Sequence, residues 1–131
     1  MRRSDQRRDA VFANYQRDVT GRPLEDLIAD ARPLTRELAE GVDEHREELD
    51  DTIAAHAKGW TVDRIAPLDL NVMRVALYEI EEGLAPVEVA INEAIEIAKE
   101  YSGADAPKFI NGVLGAIARE RETANGSGAG K

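Results

Sequence analysis

The residues best equipped for chemistry are arginines at the start of the chain. Arg2, Arg3, Arg7, Arg8, Arg17 and Arg22 are opposed only by Asp5, Asp9 and Asp18, so residues 1–22 carry a net charge of +3. The remainder carries -12, and the whole chain carries -9. A guanidinium pairs bidentately with phosphate, and released counterions drive such binding. Two readings of the start therefore stand side by side: a short arm for phosphates, and a solvated terminus that frays. The opposite concentration lies at residues 37–51, with eight carboxylates and one arginine, Arg46. That run reads as a solvated helix surface or as an attractor for a basic partner.

Catalytic chemistry is hard to assemble from what is left. With no cysteine, disulfides, thiolate zinc sites and cysteine nucleophiles are excluded. Ser4, Ser102 and Ser127 do not follow strands in an elbow motif, and the glycines form no phosphate loop. His45 and His56 share a helical face but stand about 16.5 Å apart along an axis, too far to hold one metal. Adjacent carboxylates such as Glu47-Glu48 and Glu81-Glu82 point about 100° apart on a helix. The chain is expected to be no enzyme, with no cofactor and no metal.

The elements that position these residues are helices. Apolar spacing is helical almost throughout, and strand alternation is absent. Ser4 is expected to cap a first helix over residues 5–18, with Val11, Phe12, Tyr15 and Val19 on one face. Pro23 opens a short second helix with Leu24, Leu27 and Ile28. Leu34, Leu38, Val42, His45, Leu49, Ile53 and His56 follow at steps of 4, 4, 3, 4, 4 and 3. That spacing predicts one long helix from Pro33 to about Ala57, stopped by Gly59, with Gly41 a place for a kink. Trp60 occupies the joint, and Thr61 caps a single turn through Ile65.

Three further helices are predicted over residues 68–82, 86–102 and 105–122, and their bulky apolar residues place the main core there. One domain spans residues 1–122, with halves meeting near residue 58, and residues 123–131 read as a flexible Gly-rich tail. No apolar stretch approaches the roughly 20 residues that cross a bilayer. No membrane partner is expected, and with no export leader the expected location is the cytoplasm.

Two passages rise above composition. One is Arg64-Ile-Ala-Pro-Leu-Asp-Leu-Asn-Val-Met-Arg-Val-Ala-Leu-Tyr-Glu-Ile80. The other is Pro86-Val-Glu-Val-Ala-Ile-Asn-Glu-Ala-Ile-Glu-Ile-Ala-Lys-Glu-Tyr101, followed by Lys108-Phe-Ile-Asn-Gly-Val-Leu114. In order and spacing these resemble the NusB family of bacterial transcription antitermination factors. Arg8-Asp-Ala-Val-Phe-Ala-Asn-Tyr15 resembles the family's opening more loosely.

The resemblance implies an all-α fold of about seven helices in two packed subdomains, and a role in binding. It implies pairing with the small-subunit ribosomal protein NusE and binding of boxA-type RNA in ribosomal RNA leaders, acting indirectly on transcribing RNA polymerase. Both monomers and homodimers are known in the family. It assigns RNA contact to Arg2, Arg3, Arg7, Arg8, Asp105, Lys108 and Phe109, and NusE contact to Asp69. On a helix, Arg3 and Arg7 are i, i+4 neighbours able to straddle successive phosphates. Lys108 and Phe109 would open the last helix, where free N–H groups meet phosphate and a ring stacks on a base. Phe109 also fits a core position, and Asp69 and Asp105 also fit caps. Arg74, Tyr78, Glu79, Asn92, Glu93, Lys99, Asn111 and Gly112 read mostly as buried polar architecture, with Arg74 pairing Glu93. The alternative is a stand-alone RNA-binding module akin to the N-terminal domain of RNA cytosine methyltransferases.

Overall fold

The computed structural model describes residues 2–129, with side chains through Ala124. The helices are α1 (Arg3–Thr20), α2 (Leu24–Leu27), α3 (Pro33–Glu44), α4 (Arg46–His56), α5 (Pro67–Glu81), α6 (Val87–Tyr101) and α7 (Ala106–Ala129). A 3-10 turn, Val62–Arg64, joins α4 to α5. The described residues contain no strand.

A helix that is apolar all round has to be surrounded. In α5 every residue from Leu70 to Leu77 is buried. It packs against α1, α3, α4, α6 and α7, so it is the shared axis of both halves. The core is correspondingly one cluster. Val11, Ile28, Leu38, Val42, Leu49 and Ile53 from the first half join Met73, Leu77, Ile110 and Leu114 from the second. The last three helices therefore do not hold a main core of their own: α1 and α3 both lie directly on α5.

Several local expectations shift. Arg2, not Ser4, is the N-cap of α1, and it makes no side-chain cap bond. The long third helix divides at His45, whose backbone (φ -106°, ψ 20°) ends α3 and starts α4. The cause is local. The His45 backbone N–H donates to the Gly41 carbonyl at 3.0 Å, and its ring Nδ1 reaches the same oxygen at 2.9 Å. A side chain that captures a terminal carbonyl favours a helix end there. His56 does the same to Thr52 at the end of α4, at 2.8 Å. Leu49 and Ile53 stay buried across the break.

Gly41 marks no kink; it makes room. A methyl group built there would overlap the ring of Tyr78, so α3 and α5 approach at a position only glycine fits. Gly59 has a φ of +79°, a left-handed conformation that costs glycine nothing and turns the chain into Trp60. The backbone of α7 is helical through Ala129, although residues 123–129 read as tail in the sequence. Among the residues whose side chains are described, Ile117 is the last buried one of α7, and beyond it Glu120 still reaches His56 at 3.2 Å. Gly130 and Lys131 of the expected tail lie outside the described residues.

Candidate nucleic-acid and partner interface

The four N-terminal arginines divide by the faces of α1. Arg2 and Arg3 are exposed, and Arg3 Nη2 donates to the Leu84 carbonyl at 3.3 Å. Arg8 is partly exposed and pairs with Asp5 and Asp9, each at 3.3 Å. The acidic residues that interrupt the arm thus occupy one of its own cations. Arg7 turns inward and is 5% exposed. Its Nε donates to both carboxylate oxygens of Glu79 at 2.8 Å, and its Nη1 lies 3.6 Å from Glu93. Arg3 and Arg7 therefore do not straddle phosphates together, because Arg7 is committed to α5 and α6.

Glu79 is 1% exposed. Burial pushes its carboxyl above the ordinary range, and Arg7 pulls the other way. The pair ties the start of α1 to the end of α5, and a buried charge left without its partner is costly.

A second ion network closes the other end of the same helices. Arg74 is 3% exposed. It holds Asp50 with two bonds of 2.7 Å, Asp18 with one of 2.7 Å, and Asn71 Oδ1 at 3.0 Å. Asn71 Nδ2 donates to Asp18 at 2.9 Å, and Arg46 also pairs with Asp18. The expected Arg74–Glu93 pair is absent, since Glu93 faces Arg7 at 3.6 Å while Arg74 points toward α1 and α4. Arg74 and Glu79 are buried architecture, as read from sequence. Asn92, Lys99 and Asn111 are exposed instead, because they fall on the outer faces of α6 and α7.

The most open chemistry lies where the α4–α5 joint meets the start of α7. Trp60 is 49% exposed. Its ring meets Phe109 edge-on, with centroids 5.9 Å apart and planes at 64°. Phe109 is half-buried and packs against the core, which supports the core reading of it. The aromatic pair borders two clefts. One, of about 650 Å³, includes His56, Lys58, Lys108 and Arg119. The other, of about 450 Å³, includes Arg64, Ile65, Asp69 and Ala106. Asp105 lines both. The first wall thus sets three cations against Asp105, and the second sets Asp69 and Asp105 against Arg64 among apolar side chains.

Asp69 sits in the first turn of α5, where a carboxylate suits the positive end of the helix. It caps nothing at Ala66, the N-cap, which has no side-chain bond. Backbone donors at the α7 start are fewer than the sequence suggested. The Ala106 N–H is taken by Gly103 at 3.1 Å and the Phe109 N–H by Asp105 at 3.2 Å, and Pro107 has none. The cationic chemistry there comes from side chains.

Sequence reasoning did not single out Trp60, Lys58, Arg64 or Arg119 as candidates, and the structure places all four on these clefts. The available signal was a lone tryptophan between a turn glycine and a single helical turn, a poor place to bury an indole.

Among the described residues no group of three or more His, Asp or Glu is placed to hold a metal. None of their helices is long and apolar enough to cross a membrane. Fold and surface together define an all-helical recognition module, with its open chemistry in rings and charges. The family model described as NusB family matches residues 4–119, and the chain belongs to that family. It is similar to the transcription antitermination protein NusB of Rubrobacter xylanophilus, with 43% identity over 122 residues covering 87% of this chain and 88% of that protein. Among solved structures it is similar to NusB of T. maritima, with TM-score 0.84 and 31% identity, covering 92% of each chain. A chain in a crystal structure of antitermination factors NusB and NusE with dsRNA superposes with TM-score 0.78, covering 90% of this chain and 96% of that one. Its identity is 22%, so that likeness speaks for the fold.

Proposed function

We propose that this chain is a transcription antitermination factor that pairs with NusE and binds boxA-type RNA in nascent ribosomal RNA leaders. It works by binding, not catalysis, in the cytoplasm beside transcribing RNA polymerase. Similarity to antitermination proteins over nearly their whole length supports this reading. It also favours it over a stand-alone module akin to a methyltransferase domain. The observation that carries it in the structure is the exposed Trp60–Phe109 pair set between a cleft with three cations and a cleft that holds Asp69. RNA takes the cationic side with Lys108 and Phe109, aided by Arg2, Arg3 and Arg8 of the arm. NusE, a ribosomal and hence basic protein, takes the other side at Asp69, with Asp105 between the two.

The test is an anisotropy titration of a labelled boxA-type RNA at two salt concentrations, with and without purified NusE. The expected result is weak binding alone, clear tightening with NusE, and loss at high salt, since phosphate contacts release counterions. Binding that ignores both NusE and salt overturns the proposal.

A further inference from the structure

We infer that Trp60 is a base-stacking platform for single-stranded RNA, with Lys58 and Arg119 as phosphate contacts beside it. The inference rests on the RNA-binding reading above and adds three residues to it. A tryptophan ordinarily contributes a large apolar area to a core. Here the only tryptophan of the chain is 49% exposed and braced edge-on by Phe109, itself packed on the core. The brace holds the indole and leaves its other surface to the cleft. Every base has a π-face, so such a ring takes bases with little sequence preference.

Charge selects the occupant. The chain carries -9 overall, yet the larger cleft beside Trp60 has Lys58, Lys108 and Arg119 against Asp105. His56 completes that wall and is already engaged by Glu120 at 3.2 Å. Three cations around an exposed indole suit a nucleotide, with the base on the ring and phosphates on the ammonium and guanidinium groups. A basic protein partner is repelled by the same wall, and the carboxylate of Asp69 lies in the cleft across the ring.

Trp60 is also its own reporter. A 5′-labelled single-stranded boxA-type RNA is titrated into the full chain with NusE present, reading label anisotropy and tryptophan emission together. NusE alone is titrated as a control. Emission is expected to change along the same isotherm as the anisotropy. Trp60→Ala is expected to weaken binding about 5- to 150-fold, the range for loss of one stacked base, and Trp60→Phe to restore most of it. Lys58→Glu and Arg119→Glu, both at exposed positions, are expected to weaken binding and flatten its salt dependence. They carry the test should Trp60→Ala melt early.

RNA binding with unchanged emission and unchanged affinity in these variants overturns the inference and leaves the RNA reading standing. Emission that responds to NusE but not to RNA also overturns it and gives the cleft to the protein partner. No RNA binding at all removes the underlying reading and this one with it.

Discussion

Replacing Arg7 with alanine separates architecture from ligand contact on the same helix. The substitution leaves Glu79, which is 1% exposed, without either of its 2.8 Å bonds to Arg7 Nε. Removing one partner of a buried pair costs about 3–5 kcal/mol, because the remaining charge is uncompensated. For a chain of this size that lowers Tm by about 10–20 °C. The loss is pH-dependent. Burial already raises the Glu79 carboxyl, and Arg7 opposes that rise. Without Arg7 the folded-state value climbs further. A carboxyl raised by folding contributes stability below its unfolded value and loses it as pH rises through its folded value. The Arg7→Ala deficit is therefore smaller near pH 5 than near pH 8. Urea unfolding followed by circular dichroism at both pH values measures it. Replacing Arg7 and Glu79 together with methionine recovers most of the loss, since the uncompensated charge is gone. Melting of Arg7→Ala within about 2 °C of the parent, far short of that drop, together with lost RNA affinity refutes this placement of Arg7. Arg7 would then face solvent and phosphate.

Four further outcomes are expected. Arg2→Ala with Arg3→Ala weakens RNA binding and lowers the salt slope by up to about 1.4 for two lost phosphate contacts on a single strand, with NusE affinity unchanged in calorimetry. Asp69→Lys weakens NusE binding at least tenfold, about 1.4 kcal/mol, and leaves binding of RNA alone intact in anisotropy. Gly41→Ala destabilises by about 1–3 kcal/mol in chemical unfolding, because its methyl overlaps Tyr78 and overpacking outweighs the better helix propensity. His45 is raised above 6.5, chiefly by its bond to the Gly41 carbonyl, with Glu48, Glu44 and Glu82 adding to it. Its protonation thus favours the fold below 6.5, a contribution lost as pH rises through the raised value. His45→Gln is expected to flatten stability against pH across that window, read as Tm in matched buffers.

Helix content and order were legible because a 3.6-residue apolar period survives even where caps are poor. Pro23, Pro33, Pro67 and Pro86 each stand at a helix start or its N-cap. The division at His45 was not legible. Its apolar stripe runs on through Leu49 and Ile53, and the ring bond to Gly41 found at the break leaves no trace in that period. Gly41 read as a weakness because propensity is local, whereas its reason, Tyr78, lies on another helix.

At the site, Lys108 and Phe109 were placed at the start of α7 by Pro107, and the structure puts them there. Arg7 was misjudged because charge and spacing alone cannot distinguish which face of α1 meets α5. The three arginines beside it in the arm, Arg2, Arg3 and Arg8, share its chemistry and not its burial. Trp60 carried no periodic signal, since it belongs to a joint and not to a helix. Its neighbour is Phe109, 49 positions later in the chain and edge-on to it in the fold.

In the proposed function, RNA and NusE occupy adjoining surfaces and favour one another. Their coupling must then be reciprocal. The direct measurement is the Kd for NusE with and without saturating boxA-type RNA, set against the Kd for RNA with and without saturating NusE. Reciprocity requires the same tightening factor from both directions, and the expected factor is well above one. A factor of one in both, with each ligand still bound, contradicts it.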